Sequence, residues 1–385
     1  MLKILYAGSP APAAKTLKLL LDRNGSQDQN AGGGASGNSS QDQNAGGANG
    51  NSSQAKEGGG WQIAGVLTNP PSAKGRHKEL VPTDVGMVAQ ERGIPVFCPQ
   101  KLDAEAREQI AAQNYDALVC FAYGKIFGPK FLALFKAGGV NVHPSLLPKY
   151  RGATPVPAAI LNCDSETGVT VQTLALGMDE GEILAQEKIA LDGTETTDSL
   201  VDKSADIAAD LLEGLLNKAA QDTALEALKK GRPQSGEASY TKTIAKEDAL
   251  INWNAPAKKI SAAIRAYTSE PGAWTRIGGE TGETLKILKA TALDDNCLQN
   301  GSQAQNAGGQ NCSQAQEAAP SGLSTSSGQP TVPGTVAAFD KKRGILVTCG
   351  QGFLCVTELQ RQQKKAMGYK DFMNGARDFV GTRLI

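Results

Sequence analysis

The chain has 385 residues, 40% apolar and 20% charged, which is enough material for two ordinary domains with separate cores. Lys plus Arg and Asp plus Glu each total 39, so no global basic field exists to hold nucleic acid indiscriminately, and any polyanion has to be met locally. No apolar stretch approaches a membrane span and the start MLKILYAGSP lacks the long apolar run of a signal peptide, so the expected setting is cytoplasmic with no membrane partner.

Residues 2–7 (LKILYA) read as a short apolar strand ending at Gly8, followed by a helix through Leu21 with Leu17, Leu20 and Leu21 on one face. The segment 24–60 repeats SQDQNAGG from Ser26 and again from Ser40 and holds no aliphatic residue larger than Ala. It cannot bury a core, and a low-complexity insertion forming a flexible surface loop is expected. Strands at 62–68, 95–98, 117–121 and 140–142 then alternate with helices at 83–92, 104–113 and, briefly, 130–135. That alternation predicts a mostly parallel sheet wrapped by helices. Ligands in such sheets lie beyond the carboxyl ends of the strands, so Gly8, the stretch 121–124 and the stretch 141–143 should converge on one cleft. Strands at 168–174 and 183–189 follow, then an amphipathic helix over 197–218 capped by Thr197 or Asp198.

After Gly231 the texture changes. A helix over 256–267 places Ile260, Ala263 and Ile264 on one face, and short β-like runs follow at 272–277, 284–290, 334–338, 344–349 and 353–359. Their spacing suggests a small barrel of the oligonucleotide-binding type, interrupted by a second polar insertion over 296–330. From Tyr240 to the end the chain carries 17 Lys plus Arg against 12 Asp plus Glu, net +5, and the remainder is net −5. A basic barrel behind a mildly acidic α/β domain fits a nucleic-acid handle, and fits equally a barrel that merely happens to be basic. The expected fold class is therefore α/β, a mostly parallel Rossmann-like sheet plus a C-terminal OB-like β-barrel. The expected domains are 1–230, a linker over 231–240, and 241–385.

Chemistry concentrates in VNVHPSLLPKYRGATPVPAAILNCDSETGVTVQTLALGMDEGEILAQ, residues 140–186. Asn141 and His143 are two apart at the end of an apolar strand, so in extended geometry their side chains share a face. Asp179 sits in the loop Gly177-Met-Asp-Glu-Gly181, whose glycines permit the tight backbone that returns a carboxylate over the sheet edge. An amide, an imidazole and a carboxylate suit an acyl transfer in which an amine attacks a carbonyl directly. Asn141 would donate to the oxygen as it gains charge, an effect commonly worth roughly 3 to 4 kcal/mol for one donor. His143 would accept the amine proton or donate to the oxyanion, and Asp179 would hold its tautomer. Taken alone, an Asn-x-His at a strand end also serves as a turn and hydrogen-bond device. The seven cysteines are scattered and never spaced as CxxC, so reduced thiols and no metal site are expected.

The run Asn141-Val-His143-Pro-Ser145-Leu-Leu-Pro148-Lys-Tyr150-Arg151-Gly152, followed by Asp179 in GMDEGEIL, closely resembles the signature of the folate-dependent formyltransferases. ILYAGSP, PSAKGRHKELVPTDV, FAYGKIF, SYTKTIAKEDALINW, IRAYTSEPGAWT, PGTVAAFDKKRGILV and ELQRQQKKAMGYKDFMNG extend the likeness over nearly the whole chain outside the two insertions. They narrow it to the members that act on RNA. The resemblance implies transfer of the formyl group of 10-formyltetrahydrofolate to the α-amine of methionyl initiator tRNA, with Asn141, His143 and Asp179 as the catalytic set. It implies a folate pocket at Phe121, Tyr123, Gly124, Ile126, Ser145, Leu146, Leu147, Pro148, Gly177, Met178 and Gly181. For tRNA it implies Lys74, Arg76 and Lys78 of a basic loop, Arg151, and Lys341, Lys342 and Arg343 of the barrel, in a monomer with no resident metal. Ala11 and Pro12, where acidic and aromatic residues are usual, and Pro157, where a polar one is common, depart from the pattern. A formyltransferase acting on glycinamide ribonucleotide or an amino sugar would share the catalytic set without needing a basic barrel. A formyltetrahydrofolate hydrolase would use water as acceptor, and a non-catalytic RNA-binding protein would leave Asn141 and His143 idle.

Overall fold

A computed structural model describes residues 1–31, 60–74, 79–268, 270–293 and 332–385. Of the expected insertions, 32–59 of the first and all of the second lie outside the described residues, as do Arg76, Lys78 and the side chain of Lys74. Two compact units emerge. One comprises Met1–Gly152, Thr167–Ile189 and Val201–Tyr240; the other comprises Ala153–Glu166, Ala190–Leu200 and Thr241–Ile385.

The first unit begins with strand β1 (Leu2–Gly8) and helix α1 (Ala11–Ala31), then β2 (Trp61–Leu67) and the short pair β3 (Ser72–Lys74) and β4 (Glu79–Val81). There follow α2 (Asp84–Glu91), β5 (Val96–Phe97), α3 (Ala104–Ala111), β6 (Ala117–Phe121), α4 (Pro129–Leu132), β7 (Gly139–His143) and the two-residue β8 (Arg151–Gly152). The helix α5 (Pro155–Asn162) belongs to the second unit. The chain continues through β9 (Glu166–Thr173), β10 (Ile183–Ala190), α6 (Thr197–Ala220) and α7 (Glu226–Lys229).

Seven strands form one sheet in the order β10-β9-β7-β6-β1-β2-β5. The register is parallel from β7 through β6, β1 and β2 to β5, and β9 joins β7 antiparallel. Strand β6 is apolar and buried along its whole length, as expected where helices cover both faces of such a sheet; in β1, Ile4, Leu5, Tyr6 and Ala7 are fully buried and Lys3 near its start is exposed. Three helices start on side-chain caps, with Thr83 accepting from Gly86 N, Asp103 from Ala106 N and, on α6, Thr196 from Ser199 N, so that cap is Thr196 rather than the expected Thr197 or Asp198. Helix α1 runs past the expected end at Leu21 to Ala31, the last residue described there, since lone Gly25 does not stop it. Helix α5 forms despite two prolines because Pro155 stands in its first turn, where the missing N–H costs nothing.

The second unit continues with β11 (Tyr240–Thr241), a 3-10 turn Glu247–Ala249, α8 (Ala257–Ala266) and then β12 (Trp274–Ile277), β13 (Glu283–Leu293), β14 (Val336–Asp340), β15 (Gly344–Thr348), β16 (Phe353–Arg361), β17 (Met367–Gly368) and α9 (Tyr369–Gly375). Its sheet is antiparallel, ordered β12-β13-β16-β15-β14 with β17 on β16, an OB-like half-barrel. Residues 381–385 link its two edges: Arg276 and Ile385 exchange backbone hydrogen bonds on the β12 side, and on the β14 side Leu384 N donates to Gly334 O while Val336 N donates to Thr382 O. Trp253, Ile260, Ile264, Leu285, Val347, Val356, Phe372 and Leu384 form its core.

Candidate active site

The carboxyl ends of the parallel strands come into line, with Gly8 opposite Phe121 and Phe121 opposite Val142. Asn69, just past β2, donates from Nδ2 to Ser9 Oγ at 3.0 Å and to Tyr123 O at 2.9 Å, so the ends of β1, β2 and β6 are tied together. On the next strand the antiparallel register sets Asn141 opposite Gln172 and His143 opposite Thr170.

The loop between β9 and β10 folds back over this edge. Thr173 N donates to Glu182 O at 2.9 Å and Glu182 N to Thr173 Oγ1 at 2.9 Å, which closes the return. Glycine is required at 181, where a Cβ would stand 1.7 Å from the Thr173 carbonyl oxygen. Asp179 itself has φ 53°, left-handed backbone that a non-glycine residue adopts only when its surroundings hold it there.

Asn141, His143 and Asp179 do meet. Asn141 Nδ2 lies 3.5 Å from Asp179 Oδ1, and His143 Nδ1 lies 3.5 Å from Asp179 Oδ2. His143 Nε2 is 2.8 Å from the Tyr150 carbonyl oxygen. A carbonyl only accepts, so Nε2 carries the hydrogen and the neutral ring turns a bare Nδ1 toward Asp179. This revises the expectation that Asp179 holds the tautomer: the Tyr150 carbonyl does. His143 is 4% exposed. Burial lowers its pKa below the ordinary 6.5, and the Asp179 carboxylate and the Tyr150 carbonyl offset only part of that. The imidazole is therefore neutral at pH 7, ready to take a proton on Nδ1.

Four groups that were not singled out from the sequence complete the cluster. Gln172 Nε2 donates to Asp179 Oδ1 at 2.9 Å, and Gly152 N donates to Asp179 Oδ2 at 2.8 Å. Gln234 Nε2 donates to the carbonyl oxygens of Asp179 and Gly181 at 2.7 and 2.8 Å. Tyr150 supplies the carbonyl under His143. A glutamine inside the apolar run VTVQT was the one available signal, a polar residue at a position the strand buries.

The other expected site residues divide. Gly124, Ile126 and Met178 are exposed, Ile126 at 91% and Met178 at 63%, and Leu146 and Gly177 are partly so. Phe121, Tyr123, Ser145, Leu147 and Pro148 are buried, so a ligand would meet these residues chiefly through the backbone. Ser145 Oγ is spent on Lys149 O at 2.6 Å. Arg151, expected on RNA, donates from its guanidinium to Gln234 Oε1 at 2.8 Å, Glu180 Oε1 at 3.1 Å and the Tyr240 hydroxyl at 2.8 Å. In the second unit Lys341 and Lys342 are exposed and Arg343 partly so, on a turn whose backbone N–H groups at 342 and 343 donate to Asp340 Oδ1. Among the described residues no group of three or more His, Cys, Asp or Glu is arranged to hold a metal ion, and no helix is long and apolar enough to cross a membrane. A cavity of about 440 Å³ lies apart from the cluster, between the β5 end and α3, lined by Phe97, Cys98, Gln100 and Asp103 among others.

Residues 40–215 match the formyl transferase family model and residues 243–377 the formyl transferase C-terminal domain. The methionyl-tRNA formyltransferase of Treponema denticola is 40% identical over 329 residues, covering 83% of this chain and 91% of that protein. That of Dictyoglomus thermophilum is 34% identical over 331 residues, covering 83% and 92%. Among solved structures, a sugar N-formyltransferase from a Shewanella species aligns with TM-score 0.51 at 15% identity over 74% of this chain and 96% of its own. A sugar 3N-formyl transferase, crystallised in the presence of dTDP and 5-N-formyl-THF, aligns with TM-score 0.50 at 16% identity over 95% and 99%.

Proposed function

Since the chain belongs to the formyl transferase family, we propose that it moves the formyl group of 10-formyltetrahydrofolate onto the α-amine of methionyl initiator tRNA, releasing formylmethionyl-tRNA and tetrahydrofolate. The observation that carries this reading is the meeting of buried His143 with a carboxylate and an amide donor: its Nδ1 lies 3.5 Å from Asp179 Oδ2, and Asn141, two positions away, brings Nδ2 to 3.5 Å from Asp179 Oδ1.

In this reading the amine nitrogen attacks the formyl carbon, a C–N bond forms, and the carbonyl pair moves onto oxygen. Asn141 Nδ2 donates to that oxygen. His143 Nδ1 takes the amine proton, and the imidazolium so formed is stabilised by Asp179 Oδ2. Collapse of the adduct restores the carbonyl and expels the folate nitrogen, which takes up the proton from His143. Exposed Ile126 and Met178, partly exposed Leu146, and the backbone around Gly124, Gly177 and Gly181 form the folate-side surface. The catalytic domain spans 1–230 and the tRNA-binding domain 241–385, where Lys341, Lys342 and Arg343 meet phosphates; Lys74, Arg76 and Lys78 do so from the first domain.

The test is direct. Purified protein with 10-formyltetrahydrofolate and methionyl initiator tRNA should yield acid-stable formylmethionine, dependent on both substrates. No product, or formylation of a small amine alone, would contradict the reading.

A further inference from the structure

Asp179 is held by more than its two expected neighbours. Gln172 is 1% exposed and stands directly across β7 from Asn141. Its amide can be oriented only one way: Oε1 accepts from Gly181 N at 3.1 Å and from Gln234 Nε2 at 3.3 Å, which leaves Nε2 to donate to Asp179 Oδ1. Gln234 is oriented in turn by Arg151, whose Nε and Nη2 both donate to Gln234 Oε1, at 3.2 and 2.8 Å. Gln234 Nε2 has two hydrogens, which go to the carbonyl oxygens of Asp179 and Gly181 at 2.7 and 2.8 Å, and its 3.3 Å approach to Gln172 Oε1 is the third and longest contact. The Gln234 amide thus pins the carbonyl of the left-handed residue and the carbonyl two residues on.

We propose that Gln172 and Gln234 are positioning residues for the transfer: they hold the Asp179 carboxylate with Oδ1 spent on Gln172 and Asn141, so that Oδ2 faces His143 Nδ1. A buried amide with no task beyond its own hydrogen bonds would need only any two partners. Here every bond converges on the loop 177–181 and on one oxygen of one carboxylate. The charge on Asp179 meets His143 from β7, Cys120 from β6, and Arg151, Glu180 and Tyr240 at the outer rim of the network. Burial pushes the Cys120 thiol up to about 12, so it stays protonated throughout the working range.

The inference rests on the formyl-transfer reading. The experiment compares the unmodified protein with Gln172→Met, Gln172→Glu and Gln234→Met in the formylation assay, measuring kcat, both KM values, the pH profile and the thermal midpoint. Gln172→Met should lower kcat about 10- to 100-fold, the size of a lost hydrogen bond to a charged group, with KM values within about threefold. Gln172→Glu sets a second carboxylate against Asp179, and the acid limb of its pH profile should move to higher pH. Gln234→Met, which spares the contact with Oδ1, should lower kcat less. If Gln172→Met does not fold, Gln234→Met alone carries the test. A kcat within twofold of the unmodified protein for both methionine variants, a fall in kcat matched by an equal rise in KM, or a Gln172→Glu profile that superimposes on the original overturns the inference. An unmodified protein that makes no formylmethionine overturns the functional reading itself.

Discussion

Two structures within the first unit are built in opposite ways. Tyr123, Phe127, Phe131 and Phe135 stack in sequence, each four residues beyond the last, with ring centroids 5.4, 5.2 and 5.6 Å apart. They are buried, and the stack is assembled from one short segment. The polar cluster around Asp179 draws instead on β7, the turn at Tyr150 and Gly152, β9, the loop 177–181 and Gln234, contacts that span 55 residues in one case and 62 in another. The ladder's strength is area, which falls off gradually as atoms are removed. The cluster's strength is direction, which is lost when a single donor goes. Stability should therefore reside in the first and rate in the second.

Substitution separates them. Asp179→Asn keeps the shape of the side chain and removes the charge that receives the imidazolium; formyl transfer should fall roughly 100- to 10,000-fold with the melting temperature nearly unchanged. Transfer within a few-fold of the original rate would remove Asp179 from the chemistry. Phe131→Ala should do the reverse, costing about 3 to 5 kcal/mol of unfolding free energy in a urea titration while the molecules still folded keep their rate. If that variant slows chemistry as much as Asp179→Asn does, the division between the two regions is wrong.

A smaller effect sharpens the picture inside the ladder. The Tyr123 hydroxyl is buried with no hydrogen-bond partner among the described residues, so Tyr123→Phe should raise stability by about 1 kcal/mol or leave it unchanged, since an unsatisfied buried group carries its desolvation cost into the fold. A clear loss of stability would reveal a partner for that oxygen. The smallest effect is linkage. Burial lowers the His143 pKa below 6.5, so between the folded value and 6.5 the unfolded chain binds the proton and the folded one does not. Stability from this group is complete above pH 6.5 and is lost as pH falls through the folded value. The urea midpoint should drop between pH 7 and pH 5 more steeply in the unmodified protein than in His143→Gln, and parallel curves would contradict the burial argument.

The same contrast decides what the sequence discloses. Strand β6 is found over the five residues expected for it, and α8 within a residue at each end, because their signals are local: an apolar run between turns and a helical period. Asn141, His143 and Asp179 are readable from spacing and motif, and they do come together. Gln172 and Gln234 are not readable that way, since a glutamine's worth depends on what faces it. The left-handed backbone at Asp179 and the Tyr150 carbonyl under His143 leave no trace in residue type at all. Nor does residue type disclose the partners of Arg151, whose guanidinium meets Gln234 and Glu180.

The account turns on the protonation pattern of one ring, and with only His77 and His143 in the chain that ring can be watched alone. In a His77→Ala variant labelled with ¹⁵N-histidine, the imidazole spectrum at pH 7.5 should show a neutral His143 with hydrogen on Nε2 and none on Nδ1. Hydrogen on Nδ1 instead, or an imidazolium at that pH, would mean that His143 has no free position for the amine proton, and the proposed chemistry would fail.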